Sequence, residues 1–152
     1  FSWQGWNQAA NYALQNDVYT DEALQWADRS IQLNRNFTNL WTKAGLMEKK
    51  GSKDAAEKLR SEAMLIATEA DINNLGYQYL FAKDYDKAIE TFKKNVKDYP
   101  ESWNVYDSLG EGYAAKGEKK LAKEYYTKAY EMVQDETNKT RITNILKGLE
   151  ND

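Results

Sequence analysis

A 34-residue recurrence constrains this chain more than any other feature. Leu75-Gly76-x-x-Tyr79 returns as Leu109-Gly110-x-x-Tyr113, and Ala88-x-x-x-Phe92 returns as Ala122-x-x-x-Tyr126, each landmark 34 residues after its first appearance. A period of this length, with one small residue in each half of the unit, fits a stack of antiparallel helix pairs. The backbones then approach most closely at the small sites. A larger side chain there would push the helices apart. One proline and eight glycines punctuate the 152 residues, and apolar residues recur at helical rather than alternating spacing.

The same register extends towards the N-terminus. First helices align on Trp6-Ala9-Ala10, Trp41-Ala44-Gly45, Ile72-Leu75-Gly76 and Tyr106-Leu109-Gly110, and second helices on Ala23, Ala56, Ala88 and Ala122. Inside each pair, Gly45, Gly76 and Gly110 are expected to face Ala56, Ala88 and Ala122. Turns are expected at Asn16-Asp17, Gly51-Ser52, Lys83-Asp84 and Lys116-Gly117, and Pro100 should stop the helix before it. Asp135-Glu136-Thr137 reads as a capped, acidic helix start. Ile142, Ile145, Leu146 and Leu149 then form one apolar stripe that would cover the open end of the stack. The expectation is a single domain over 1–152, with repeats at about 3–36, 37–68, 69–102 and 103–135 and a capping helix over 136–150.

These landmarks, above all those of residues 72–134, closely resemble tetratricopeptide repeats. The resemblance implies an all-α, right-handed α-solenoid of four tetratricopeptide-like hairpins plus a C-terminal capping helix, and it points to binding rather than chemistry. The tandem repeats are also similar to tails found on some bacterial serine hydrolases. A narrower match lies in Ser2–Asn16 and Glu22–Asp28, which resemble the C-terminal segment of an exported bacterial family of unknown function; Asn138-Lys139-Thr140 and the helix after it resemble that family's ending. That likeness implies a larger domain preceding this tail, and an exported or periplasmic location. It carries no activity with it.

Composition narrows the function. Basic and acidic residues number 21 and 24, and both signs are spread along the chain, so no basic patch favours nucleic acid or an anionic membrane surface. No apolar run reaches the ~18–20 residues of a membrane span. The chain has no Cys and no His, which removes thiolate ligands and the commonest general base. Phosphate-loop and nucleophile motifs are missing too. No catalytic residue, metal site or cofactor is therefore expected, and the expected partner is a protein or peptide.

The inner wall of such a solenoid is lined mainly by first helices. In this register its central positions are Asn7 and Asn11, Thr42 and Leu46, Asn73 and Tyr77, Asp107 and Glu111, flanked by Gln4, Asn39 and Asn104, with Leu80 and Phe81 one turn on. Asn7, Asn11, Asn39, Asn73 and Asn104 would run along one surface, where their amides could donate to and accept from an extended peptide backbone. Tyr77 and Phe81 would supply an apolar anchor. The plainer explanation is that Asn is abundant here and some copies must face inward. No central wall position is basic, so carboxylate clamping is not expected and affinity should depend weakly on salt. Asp107 and Glu111 share a face at i, i+4, but two carboxylates are too few for a calcium cage, and a solvated acidic face is the simpler reading. Trp6 and Trp41 occupy bulky packing positions and are expected in the core. Phe1 and Trp3 lie at the N-terminal edge, where a preceding domain would dock. A second functional reading makes this chain the accessory tail of an enzyme whose active site lies in that upstream domain.

Overall fold

The computed structural model describes residues 1–151, and among them it is all-helical. Nine helices follow in order: α1 (Trp3–Asn16), α2 (Thr20–Leu33), α3 (Phe37–Lys49), α4 (Lys53–Ile66), α5 (Glu69–Phe81), α6 (Tyr85–Asp98), α7 (Trp103–Lys116), α8 (Lys119–Met132) and α9 (Glu136–Glu150). Sequential neighbours α1–α2, α3–α4, α5–α6 and α7–α8 pack as hairpins, and α9 packs on α8. The chain forms two compact units, Phe1–Thr68 and the part from Glu69 onward.

Local chemistry sets the helix boundaries. Ser2, Asn36, Asp84 and Asp135 each accept from the amide three residues on, satisfying a donor that the first turn leaves without a partner. Gly51 and Gly117 turn the chain with φ of 87° and 88°, a region that glycine enters without steric cost. Pro100 lies in the turn between α6 and α7, and its carbonyl accepts the Tyr106 hydroxyl at 2.9 Å.

In the first unit the core is built from Ala10, Ala13, Ala23, Ala27 and Leu46, with Leu14, Leu24 and Trp26 packed against it. The alanines let backbones come close, and Gly45 does the same in a different direction from the one expected. A Cβ on Gly45 would lie 2.8 Å from Leu14 Cδ2, and all its nearest atoms belong to Leu14. Gly45 therefore opens space for a side chain of the preceding hairpin, and its nearest atoms are not those of Ala56. Trp6 and Trp41 are only half-buried. Trp6 meets Phe1 edge-on at 5.3 Å, while Trp41 stacks on Phe37 at 5.0 Å under the Arg60 guanidinium.

The second unit has the larger apolar core, centred on Phe92, Val105, Leu109, Tyr126 and Ile142. A Cβ on Gly76 would stand 2.3 Å from the Phe92 ring, and one on Gly110 would stand 3.0 Å from the Tyr126 ring. Each glycine thus receives the aromatic ring of its own hairpin's second helix; the nearest atoms are not those of Ala88 or Ala122. A Cβ on Gly112 of α7 would lie 3.2 Å from the other edge of Phe92, so α7 also leaves room for that ring.

Helix α9 continues the 34-residue register as the first helix of a further repeat. Where α5 and α7 carry Ile72/Tyr106, Gly76/Gly110 and Tyr79/Tyr113, α9 carries Thr140, Asn144 and Lys147, all exposed. The stripe beginning at Ile142, which is fully buried, turns onto the core with Ile145, Leu146 and Leu149. Apolar on the side that packs and polar where a partner helix would pack, α9 ends the stack.

Candidate functional site

Two sets of hydrogen bonds that meet on α7 tie it to α5 on one side and to α9 on the other. On α5, Asn73 Oδ1 accepts the Ser108 hydroxyl of α7 at 2.6 Å. One turn along α5, the Tyr77 hydroxyl donates to Glu111 Oε2 at 2.6 Å and lies 3.5 Å from Ser108 Oγ. Asp107, also on α7, accepts from Arg141 of α9 at 2.9 Å, and the Arg141 Nε donates to Asn138 Oδ1 at 3.2 Å. Asn104 is half-buried one turn before Ser108 on the same helix face. At the end of α5 the Phe81 ring lies 5.9 Å from that of Tyr77, which in turn meets the buried Phe92 edge-on at 5.2 Å. Phe81 is 79% exposed.

The electrostatics follow from burial. Asp107 is only 5% exposed, and this desolvation raises its carboxyl above the ordinary value; the Arg141 guanidinium pulls the other way and Glu111 adds to the rise. Burial likewise raises the Tyr77 phenol, reinforced by the Glu111 carboxylate it bonds and opposed by Ser108. Tyr126 is raised by burial and then by the Glu111 and Asp107 charges. All three shifts share one leading cause, burial of the Asp107 carboxyl and the Tyr77 and Tyr126 phenols away from water. Arg141, with its side chain 41% exposed, keeps part of its planar donor fork turned to solvent.

No family model matches this chain, and no curated protein matches it. Solved structures do. The structure of pilF from Pseudomonas aeruginosa aligns with 97% of this chain and 67% of its own length at 18% identity, with a TM-score of 0.56. MamA (residue 41 to its end) from Desulfovibrio magneticus RS-1 aligns with 97% of this chain and 82% of its own length at 15% identity, also with a TM-score of 0.56. A further MamA structure covers 86% of this chain at 20% identity and a TM-score of 0.51. The fold is tetratricopeptide-like. At these identities the likeness extends to the fold alone.

Within this tetratricopeptide-like fold, several residues expected on a binding wall lie elsewhere. Asn39 is fully buried. It accepts the Asn36 amide at 3.0 Å in a reciprocal capping box, and its Nδ2 donates to Ser30 Oγ and the Asn34 carbonyl. Its amide is thus occupied by the start of α3 and the end of α2. Asn7 is 7% exposed and Leu46 is fully buried, because α1 and α3 pack side by side and enclose positions expected to be open. Thr42 is also buried, and its hydroxyl bonds back to the Thr38 carbonyl. Asn11 is exposed. The five asparagines therefore do not form a row of free amides.

Two further expectations are revised. Asp107 is not part of a solvated acidic face, since a buried carboxylate held by a guanidinium replaces it. The wall is not without a basic residue, because Arg141 enters it from α9. Arg141 and Ser108 are the residues that sequence reasoning missed. The sequence carries a signal for Arg141, since Asn73, Asp107 and Arg141 stand 34 residues apart in one column, but the capped start and apolar stripe of α9 are the stronger local patterns.

Proposed function

We propose that the chain is a non-catalytic protein-interaction module that holds an extended peptide segment against the face of α5, α7 and α9. The observation that carries this reading is Phe81, a phenylalanine 79% exposed beside a tract of fixed donors and acceptors. An exposed ring of this size contributes little to folding, and next to oriented polar groups it serves as an anchor. Tyr77 extends the apolar surface, while Asn104 and the outward part of the Arg141 fork offer partners for a peptide backbone. Asn73 supports the face through Ser108; Asn7 and Asn39 leave the proposed site because they are buried. The test is calorimetric titration of a peptide library. Tyr77→Ala and Phe81→Ala should each weaken binding by about tenfold, the effect of losing ~1.4 kcal/mol. Ligands that bind both variants as tightly as the parent would remove this face from consideration.

The N-terminal edge is a second proposed surface. Phe1 is 95% exposed with its ring against Trp6, and Trp3 is half-buried at the start of α1. This apolar edge suits docking by a domain of the same chain, as the resemblance to an exported family implies; that resemblance also supports an exported or periplasmic location. The reading as an accessory tail of an enzyme uses the same edge. Hydrogen exchange on a chain carrying its upstream sequence should show residues 1–15 more protected than without it. Equal protection would reject the docking role.

A further inference from the structure

The shelf formed by half-buried Tyr77 and Glu111 and exposed Phe81 has a chemical preference that peptide binding alone does not specify. Two carboxylates, Asp107 and Glu111, stand one turn apart on α7, and one guanidinium pairs with the first of them. Arg141 is committed to Asp107 at 2.9 Å and braced by Asn138 at 3.2 Å. Glu111 is held by the Tyr77 hydroxyl at 2.6 Å, and no ion pair engages it among the described residues. A phenol neutralises none of its charge. The carboxylate is therefore fixed in place and half-buried, with the Tyr77 ring beside it.

We propose that this shelf takes a Lys or Arg side chain of the bound peptide, its methylene stem lying along Tyr77 and Phe81 and its cationic head meeting Glu111. This rests on the reading of the α5–α7–α9 face as a peptide surface and adds the residue class that it selects. The complementarity is threefold. The rings pack against the methylene stem, their π-faces attract the cation, and Glu111 supplies a charge-assisted acceptor whose position is already fixed. An acidic side chain entering at the same place would meet Glu111 with like charge.

Peptide pools with randomised flanks and one fixed central residue, Lys, norleucine or Glu, separate the possibilities when titrated into the chain by fluorescence anisotropy. The Lys pool should bind about tenfold tighter than the norleucine pool at low salt. That advantage should shrink towards about 0.5 M salt and disappear in Glu111→Gln, which keeps an acceptor for Tyr77. Phe81→Ala, at an exposed position, should weaken both pools, and the Lys pool somewhat more, without altering the melting curve. Equal binding of Lys and norleucine overturns the cation preference and leaves the peptide face standing. Preference for the Glu pool overturns it in favour of Arg141 as the anchor. Failure of every pool to bind removes both this inference and the reading beneath it.

Discussion

Gly76 and Gly148 are both helical glycines, and the surroundings of each decide what a methyl group would do there. At Gly76 a Cβ would fall 2.3 Å from Phe92 Cε1, and that ring is fully buried in the core of the second unit, where close packing leaves it little room to retreat. Gly76→Ala should therefore destabilise by about 1–3 kcal/mol, the usual cost of overpacking a well-filled core. Nothing lies within 4 Å of the equivalent point on Gly148. There the same substitution should stabilise α9 by about 0.5–1 kcal/mol, since glycine pays more backbone entropy than alanine in a helix. Thermal melts of the two variants should shift in opposite directions, and a Gly76→Ala variant as stable as the parent would contradict the ring contact. That these positions must be small was legible from the 34-residue recurrence. What fills the space was not, because periodicity marks where backbones approach and leaves open which side chain enters the gap. Leu14 at Gly45 and the rings at Gly76 and Gly110 depend on side-chain direction. The asparagines show the same limit: Asn39 follows Asn36 by three residues, a helix-start pattern, and that local use took precedence over display on a surface.

Helix α9 is tied to α7 by a contact whose strength depends on pH. The Asp107 carboxyl is raised by burial, with Glu111 adding to the rise and Arg141 opposing it. A carboxyl raised on folding binds its proton more tightly in the native state than in the unfolded chain. Between its ordinary value near 3.8 and the raised native value, the native state holds the extra proton. Its contribution to stability therefore grows as pH falls through that window. Asp135, the cap of α9, works in the opposite sense, being lowered by its hydrogen bonds from Asn138, so the total slope mixes both. The difference between the parent and Asp107→Asn isolates the first. Urea unfolding from pH 7 down to pH 4 should show the parent gaining stability relative to the variant; a parallel pair of curves would mean that Asp107 is not desolvated as described. The helix start at Asp135 and the apolar stripe from Ile142 were legible because capping and amphipathicity are local patterns. Arg141 was not read, because its role appears only when α9 is placed in the same column as Asn73 and Asp107. Burial of Asp107 likewise depends on the packing of three helices and leaves no local mark.

The chain forms two compact units with cores of different character. The first is assembled largely from alanines around Leu46, and the second from large aromatic and aliphatic side chains around Phe92. Apolar burial scales with area at roughly 25 cal/mol per Å², so the alanine-rich unit has the smaller hydrophobic stabilisation for each helix it orders. A unit of that size standing alone is marginal on surface-to-volume grounds. Repeat stacks offset this by coupling neighbours, so that weak and strong repeats melt together when the coupling exceeds the difference between them. We propose on this basis that the chain unfolds as a single domain of four hairpins and a capping helix. The distribution of tryptophan makes the proposal measurable. Trp3, Trp6, Trp26 and Trp41 lie in the first unit and Trp103 in the second, so fluorescence reports mainly on the first while far-UV circular dichroism reports on every helix. In one cooperative domain the two denaturation curves should share a midpoint and a slope, as two-state unfolding requires. If the units are independent, fluorescence should fall at lower denaturant and a second, purely dichroic transition should follow. That separation would overturn the single-domain reading.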